Sequence, residues 1–329
     1  MSSSSSALER VSNPTLALLK LEQTAAHNYA AKAKAPNTVR AYRADWRLFE
    51  SWCAARAIAA LPATPSAVAL YASSIAKAGR KVSTIERKLV SISRAHKLAG
   101  HPSPTSSAEL HEVMKGIRRE LGTAPTQKAP VSVSNLRAMS TAAPKRLLGI
   151  RDRTLLLIGF AGAFRRAELV ALNVEDIRET SDGLEVTLRR SKTDQDAAGR
   201  KLGIPYGSNP LTCPVRAYRG WIAAAAITTG AIFRRITRTG KRGGRVLQTR
   251  LSPKAVAIVV KRHALAANLD PKNFAGHSLR AGLLTAAAKA GKDRRVLKKQ
   301  SGHRSDAILD LYIRNGEIFS DNAASGIGL

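Results

Sequence analysis

Apolar residues recur every three or four positions through the first third of the chain, which is the spacing of one buried helix face. The clearest case runs from Asn37 to Ala57. Three further helices are predicted over residues 64–79, 83–100 and 106–121. The first predicted helix buries five side chains: Val39, Tyr42, Trp46, Phe49 and Cys53. Together these segments predict a compact helical domain over residues 18–121, preceded by a Ser-rich, frayed tail at residues 1–17.

The predicted helix ends have recognisable signals. Pro65 suits a first helical turn. Ser83 with Glu86, and Ser106 with Glu109, have the spacing of a capping box, in which the two side chains bond each other's backbone N–H groups. The pattern of the fourth helix buries Leu110, Val113, Met114, Ile117 and Leu121.

The pattern changes in the second part of the chain. Residues 122–134 (GTAPTQKAPVSVS) contain two prolines and small polar residues, and they predict an interdomain linker. A strongly apolar helical segment follows and is interrupted around Gly162. Residues 183–205 then alternate apolar and polar side chains on both sides of a polar turn at 194–199, which predicts a β-hairpin. Residues 237–245 predict a smaller hairpin or a mobile loop, and helices resume at Ser252.

The predicted fold class is therefore mainly α. A helical N-terminal domain precedes a mixed α+β domain over residues 135–329 that contains a small antiparallel sheet. A chain of 329 residues is long enough for two such domains, each with its own core.

Charge narrows the set of partners. The chain has 54 Lys and Arg against 23 Asp and Glu, a formal net charge of +31, and the bases are spread along its whole length. A folded protein with such a charge repels itself unless a polyanion is its normal partner, so nucleic acid is the expected partner. The alternative, an anionic membrane surface, lacks the expected basic amphipathic helix with a bulky aromatic face.

Cysteine usage and the N-terminal sequence predict a cytosolic protein. Cys53 and Cys213 stand far apart and fit neither a disulfide framework nor a metal-binding pair. The N-terminus lacks the apolar stretch of a signal peptide, and no segment approaches the length of a membrane span.

Two common kinds of site are disfavoured. The segment TGKRGG lacks the first glycine of a phosphate-binding P-loop, and Lys241 is followed by arginine rather than Ser or Thr. The seven histidines have no metal-ligand spacing, and His277 with His303 has no obvious third ligand. We therefore expect no cofactor and no metal.

Several charged and polar residues occupy positions that the hydrophobic pattern does not explain. Singly, each has an ordinary structural explanation. Arg165 would pair with Glu168, His277 would cap a helix, and Tyr312 would belong to the core. Lys192 would be a solvated hairpin tip. As a set they are the groups that attack on a phosphodiester requires: Arg165 or Arg166, Lys192, His277, Arg280, His303 and Tyr312.

The chemistry explains why these residue types fit together. Attack on a phosphodiester builds negative charge on two oxygens, which arginines can grip bidentately. It also needs a nucleophile, a base and an acid. A tyrosine phenol has a pKa near 10, and surrounding cations stabilise its phenolate. We therefore expect the pKa of Tyr312 to be lowered by its neighbours.

Four segments resemble the motifs of a known family. AGAFRRAELVAL is similar to the first box of the tyrosine recombinases, also called the phage integrase family, in which an arginine precedes a glutamate by three positions. RRSKTDQ resembles the hairpin that carries the family's lysine, HSLRAG its His-x-x-Arg box, and SGHRSDAILDLY its final box. The family's six site residues then map onto Arg165, Lys192, His277, Arg280, His303 and Tyr312.

The resemblance extends over residues 18–325. Residues 37–53 resemble the first helix of the family's SAM-like core-binding domain, and YIRN resembles the Cre-like branch of site-specific recombinases. The resemblance implies the DNA breaking-rejoining enzyme fold, and catalysis through a 3′-phosphotyrosyl intermediate without metal or ATP. The implied roles are nucleophile for Tyr312, phosphate ligands for Arg165, Arg280 and His303, proton acceptor for His277 and proton donor for Lys192.

The resemblance also implies partners. These are double-stranded DNA and further copies of the chain, assembled as a tetramer on paired DNA sites in the nucleoid of a prokaryotic cytoplasm. The C-terminal tail either packs on a neighbouring protomer or docks on its own core. Two other functions stay open: a type IB topoisomerase with the same constellation, and a catalytically silent DNA-binding regulator on the same fold.

Overall fold

A computed structural model of the chain describes most of its residues, namely 18, 22–25, 29, 35–124, 127–189, 199–237, 244–303 and 305–317. Outside the described residues lie both tails, 1–17 and 318–329, together with Lys192, the predicted turn at 194–199 except for Gly199, and Arg304. The chain divides into two compact units, residues 1–126 and 127–329. No helix among the described residues is long and apolar enough to cross a membrane.

The described part of unit 1 is helical. Its elements are α1 (Pro36–Ala54), α2 (Pro65–Lys77), α3 (Val82–Leu98), a 3-10 turn (Pro104–Ser106) and α4 (Ala108–Leu121). The start of α2 agrees with the prediction, because Pro65 occupies the first turn and Thr64 accepts a hydrogen bond from the backbone N–H of Ala67.

The two predicted capping boxes are wrong. Helix α3 begins at Val82, so Ser83 lies inside its first turn, and Glu86 accepts hydrogen bonds from Arg118 instead. Helix α4 is capped one residue later than predicted, by Ser107, which accepts from the N–H of Leu110. Ser106 is already part of a 3-10 turn, so Ser107 is the extended residue that can act as the cap.

Aromatic side chains form the centre of unit 1. Phe49 is fully buried and packs edge-to-face on Tyr71, with 5.1 Å between ring centroids. The predicted face of α1 is therefore confirmed at Phe49 and Cys53, both fully buried. Leu121, predicted to be buried, is 42% exposed, because it is the last residue of α4 and the chain leaves the core at Gly122.

A buried ion pair crosses unit 1 between α1 and α3. Asp45 is 3% exposed, and its carboxylate lies 3.3 Å from the ammonium of Lys88, which is itself buried. The Lys88 ammonium also lies 3.4 Å from the hydroxyl of Tyr71. Burial and the nearby Asp45 charge raise the pKa of Tyr71 to about 12. The hydrophobic pattern gave no sign of Asp45, because it occupies a polar position between Tyr42 and Trp46.

Unit 2 combines helices with two small sheets. Its helices are α5 (Val133–Thr141), α6 (Leu147–Ala161), α7 (Arg166–Ala171), α8 (Pro214–Ala225), α9 (Pro253–Ala266), α10 (Ser278–Lys289), α11 (Arg294–Ser301) and α12 (Asp306–Glu317). Its strands are β1 (Ile177–Glu179), β2 (Gly183–Leu188), β3 (Arg200–Pro205), β4 (Arg234–Ile236) and β5 (Val246–Arg250). The predicted class, mainly α with a small antiparallel sheet, is confirmed.

The first sheet has the order β1-β2-β3 and is antiparallel. Its predicted hairpin is confirmed: Leu188 pairs with Arg200, and the alternating side chains Leu184, Val186, Leu188, Leu202 and Ile204 are all buried. Strand β1 was not predicted, because three residues are too short to show alternation. Strands β4 and β5 pair antiparallel on either side of residues 237–245, the segment predicted as a smaller hairpin or a mobile loop. Residues 238–243 of that segment lie outside the described residues.

Helix α6 is the central element of unit 2. Four consecutive residues, 155–158, are at most 1% exposed, so the helix is buried on all sides. It ends at Ala161, with Gly162 as its C-cap, at the interruption that the sequence predicted. The chain that leaves this end carries Arg165.

The second half of the segment predicted as a linker is bound to unit 2. The N–H of Ala129 donates to Asn273, and that of Val131 donates to Ser278 at 2.9 Å. Val131 is fully buried, and its carbonyl oxygen lies so close to Gly282 that a Cβ there would be 2.1 Å away. Residues 128–131 therefore help to fix helix α10.

Candidate active site

Helices α10 and α12 bring a histidine and a tyrosine into contact. His277 stands at the N-cap position of α10, and Tyr312 lies in the middle of α12. The Nε2 atom of His277 is 2.7 Å from the hydroxyl oxygen of Tyr312. Leu309, fully buried, and Ile313 pack α12 against α10 and hold Tyr312 half-buried at this position. Ile308 and Leu311, which belong to the same apolar stretch, are 48% and 39% exposed and do not anchor the helix.

Arg280 lies one turn into α10 and is fully buried. Its Nη1 donates to the carbonyl oxygen of Ala163 at 2.7 Å, and its Nη2 donates to the Nε2 of His303 at 3.0 Å. Ala163 has the left-handed backbone angle φ 47° directly after the C-cap of α6. Arg280 therefore joins the end of α6 to the segment between α11 and α12.

Arg165 is placed by the start of α7. Glu168, three residues later, accepts one hydrogen bond from the Arg165 backbone N–H at 2.9 Å and a second from its guanidinium at 2.6 Å. The glutamate side chain is only 2% exposed, whereas that of Arg165 is 19% exposed. The ordinary explanation of Arg165, pairing with Glu168, is therefore correct. The same contact also holds the Arg165 charge where it acts to lower the pKa values of Arg280 and Tyr312.

The environment of Tyr312 differs from the prediction. Burial raises the pKa of its phenol above the ordinary value, and Arg280 and Arg165 offset only part of the increase. The neighbouring cations therefore act in the expected direction, but the predicted net lowering of this pKa is wrong, because burial has the larger effect. Burial also lowers the pKa of His277, helped by the charges of Arg280 and Arg165. A neutral imidazole consequently faces a neutral phenol at pH 7.

His303 is neutral as well, so only one of its two ring nitrogens carries a hydrogen, and the hydrogen bonds show which one. Burial and the nearby charge of Arg280 lower its pKa to about 3. Arginine has only N–H donors, so the Nε2 of His303 must accept from Arg280. The hydrogen is then on Nδ1, which donates to the hydroxyl oxygen of Ser301 at 2.8 Å. Burial and Arg165 likewise lower the pKa of Arg280 to about 10, so its guanidinium stays charged at pH 7.

The structure thus brings together five of the six predicted residues, all in unit 2: Arg165, His277, Arg280, His303 and Tyr312. Lys192 falls outside the described residues. Sequence reasoning missed two residues that support the site, Ser301 beside the ring of His303 and Arg200 beside the end of α11. Ser301 was inside the quoted final motif, whereas Arg200 had no signal beyond its position at the start of a strand.

Comparisons with known proteins identify the family of the chain. The model of the phage integrase family matches residues 130–317, and that of the phage integrase N-terminal SAM-like domain matches residues 27–101. The first match alone spans more than half of the chain. The chain belongs to the phage integrase family, the tyrosine recombinases.

Individual relatives are similar over most of their length. The integrase/recombinase xerD homolog of Selenomonas ruminantium is 38% identical over 296 residues, which cover 89% of this chain and 85% of the relative. Recombinase cre of Escherichia phage P1 is 25% identical over 285 residues, with coverage of 82% and 81%. The chain is thus similar over most of its length to proteins named as recombinases.

A solved structure supports the fold. A lambda integrase dimer bound to a COC′ core site superposes with a TM-score of 0.57 at 15% sequence identity and covers 89% of this chain and 94% of that one. At this identity the likeness shows the fold alone. The family match and the named relatives show that the chain is a tyrosine-type site-specific DNA recombinase.

Proposed function

We propose that Tyr312 is the nucleophile that cuts DNA in this recombinase. The observation that carries the proposal is the 2.7 Å contact between its hydroxyl oxygen and the Nε2 of His277, beside two arginines. A phenol with a raised pKa is not a nucleophile by itself, so it needs a base within hydrogen-bonding distance. His277 is that base, because its lowered pKa keeps it unprotonated at pH 7.

The first step is a phosphoryl transfer from DNA to the protein. The bond between Tyr312 Oη and phosphorus forms as the bond between phosphorus and the 5′ oxygen breaks. The tyrosine proton passes to His277, and Lys192 supplies a proton to the departing 5′ oxygen. The products are a 3′-phosphotyrosyl link and a free 5′-hydroxyl. A 5′-hydroxyl from a second strand then reverses the step, so the energy of the phosphodiester is retained and no ATP is needed.

Arg165 and Arg280 bind the non-bridging oxygens as charge builds on them. Guanidinium groups suit this role because they bind two oxygens in one plane and stay charged. The guanidinium of Arg280 is positioned by its hydrogen bond to the carbonyl of Ala163, and that of Arg165 by its hydrogen bond to the carboxylate of Glu168. His303, next to Arg280, completes the phosphate contacts.

His303 must change its hydrogen-bonding state to donate to a phosphate. Without DNA its Nε2 accepts from Arg280, whereas a phosphate oxygen needs an N–H there. Ser301 permits the change, because its hydroxyl can accept from Nδ1 in one tautomer and donate to it in the other. When Arg280 turns its Nη2 to the phosphate, His303 can carry its hydrogen on Nε2.

The proposed reaction exchanges strands between two DNA duplexes, and this determines the partners of the chain. Double-stranded DNA is the substrate, and four copies of the chain on paired sites provide one active site for each strand. The net charge of +31 supports close contact with DNA phosphates. We place the reaction on nucleoid DNA in a prokaryotic cytoplasm.

A plasmid experiment tests this function. A target sequence is first selected from a random pool of DNA duplexes by binding to the protein. Two copies of this target sequence are then placed on one supercoiled plasmid. The expected products are deleted or inverted plasmids, formed in EDTA without ATP, while a plasmid without the target stays supercoiled. Efficient relaxation of the site-free plasmid would favour a topoisomerase. Tight binding with no strand cleavage would favour a silent DNA-binding regulator.

A further inference from the structure

One side chain of the first sheet reaches the end of a helix about a hundred positions later. Arg200 is the first residue of β3, and its Nη1 donates to the carbonyl oxygens of Lys299 at 3.1 Å and Gln300 at 2.8 Å. Its Nη2 lies 3.3 Å from the carbonyl oxygen of Ser301. These are the last three residues of α11. The guanidinium therefore binds the open carbonyl end of that helix.

The physical reason is electrostatic and geometric. The last carbonyls of a helix have no partners within it, and they carry the negative end of the helix dipole. An arginine fork can bind several of them at once and in a fixed direction. The next residue, Gly302, has the left-handed angle φ 65° and closes the helix by donating to Lys298. A Cβ on Gly302 would lie 2.9 Å from the Nε of Arg200, so the turn and the guanidinium are packed together.

A second side chain fixes the same helix end from the other direction. The amide nitrogen of Gln300 donates to Ala161, the last residue of α6, at 2.8 Å and to Gly203 on β3 at 3.2 Å. The end of α11 is thus tied to β3 at two points, and to the helix that leads into Arg165. These hydrogen bonds join the turn to β3 and to the end of α6.

His303 is the residue that this turn carries. The residue is only 9% exposed, and its two ring nitrogens contact Ser301 and Arg280 at 2.8 and 3.0 Å. Both contacts depend on where the backbone of residues 301–303 lies. Loss of the three carbonyl bonds from Arg200 would release that backbone, and a displacement of about 1 Å in a catalytic group can cost about 100-fold in rate.

We propose that Arg200 is a positioning residue that sets His303 for the phosphate through the carbonyl end of α11, without contacting DNA itself. Both Nη atoms of Arg200 bind main-chain carbonyls. In Arg280, by contrast, only Nη1 binds a carbonyl, and Nη2 binds the imidazole of His303. The inference rests on the proposed role of His303 in the active site.

The test compares four variants of the full chain: Arg200→Met, Arg200→Lys, His303→Ala and the Arg200→Met/His303→Ala double variant. Arg178→Met is the matched control, because Arg178 lies on the same sheet in an exposed pair with Glu185. The rate of covalent adduct formation is measured at saturating DNA, and DNA affinity is measured separately over a range of salt concentrations.

We expect Arg200→Met to slow adduct formation by up to about 100-fold, with little change in DNA affinity or in its salt dependence. Arg200→Lys should recover part of the rate, because it keeps one donor and the charge. In the His303→Ala background, Arg200→Met should slow the reaction no further. The control should resemble the wild type. Three results would overturn the proposal. The first is an undiminished rate in Arg200→Met, and the second is a full additional loss of rate in the His303→Ala background. The third is a loss of DNA affinity alone, with a weaker dependence of that affinity on salt.

A second measurement does not depend on catalysis. The His303 ring is titrated by NMR in the wild type and in Arg200→Met, after unfolding curves identify a pH range in which both are folded. We expect the pKa of His303 to rise markedly in the variant, because the ring loses its enclosed position. An unchanged titration would contradict the inference. If the wild type formed no adduct, the proposed function would fail, while this titration would still decide whether Arg200 positions His303.

Discussion

The Nε2 atom of His277 lies 2.7 Å from the hydroxyl oxygen of Tyr312, although 35 positions separate the two residues along the chain. One belongs to the N-cap of α10 and the other to the middle of α12, and the packing of Leu309 between these helices sets the distance. This contact turns an aromatic residue on a partly apolar helix into a candidate nucleophile with a base beside it.

The pH dependence of cleavage tests His277 as the base. Neutral His277 accepts the proton and the imidazolium does not, so the rate should rise as pH rises through the pKa of His277. That pKa is lowered from 6.5, which places the acid limb of cleavage at subsaturating DNA below pH 6.5. His277→Gln should lose this limb. A midpoint above 6.5, or the same limb in the variant, would contradict the assignment.

The choice of Arg165 over Arg166 can be tested by a pair of matched variants. Arg165→Lys keeps the charge but loses the bidentate grip, and we expect adduct formation to slow by about 100- to 1,000-fold. Arg166 is exposed and begins α7, so Arg166→Lys should leave the rate close to that of the wild type. Single-turnover cleavage measures both. Equal losses in the two variants would show that the assignment of Arg165 alone is wrong.

His303 should make stability depend on pH. Its pKa is about 3 in the folded chain against 6.5 for an ordinary histidine, so between these values the unfolded chain binds more protons. This contribution to the free energy of unfolding is fully present above pH 6.5 and is lost as pH falls, by up to about 1.4 kcal/mol per pH unit. Urea unfolding from pH 7.5 to 5 should show a shallower dependence for His303→Gln. Equal slopes would exclude a strongly depressed pKa.

Much of this site was predictable because its residues belong to short motifs with fixed spacing. Arg280 follows His277 by three positions, and Tyr312 follows His303 by nine, so local sequence carried most of the information. The hairpin strands were predictable for the same reason, since Leu184, Val186 and Leu188 alternate in a strand buried on one face.

What the sequence did not predict depends on contacts between distant segments. Arg200 and the end of α11 are about a hundred residues apart, and no local pattern links them. The pKa of Tyr312 was predicted in the wrong direction, because burial depends on packing, whereas only the neighbouring charges were visible in the sequence. Leu309 and Ile313 anchor α12, whereas Ile308 and Leu311 of the same apolar stretch are exposed, because tertiary contacts decide which face of the helix is buried.

The buried ion pair of unit 1 gives a stability prediction away from the site. Asp45→Ala leaves the buried Lys88 without its counter-charge, and we expect a loss of about 3–5 kcal/mol in the free energy of unfolding. The control is Glu86→Ala, which breaks a half-exposed pair with Arg118 in the same unit and should cost about 1 kcal/mol or less. Urea unfolding followed by circular dichroism measures both. Similar losses would show that the Asp45 pair is no more important than a surface pair.

The covalent link between DNA and Tyr312 tests the central claim most directly. A target duplex nicked near the cleavage point traps the adduct, which is then digested with protease and sequenced by tandem mass spectrometry. We predict a single modified peptide with DNA joined to Tyr312 through a 3′ phosphate, and a released strand with a free 5′-hydroxyl. Tyr312→Phe should give no adduct at unchanged DNA affinity, while the control Tyr206→Phe should give the wild-type adduct. DNA attached at another residue, linkage through a 5′ phosphate, or an adduct in Tyr312→Phe would contradict the account.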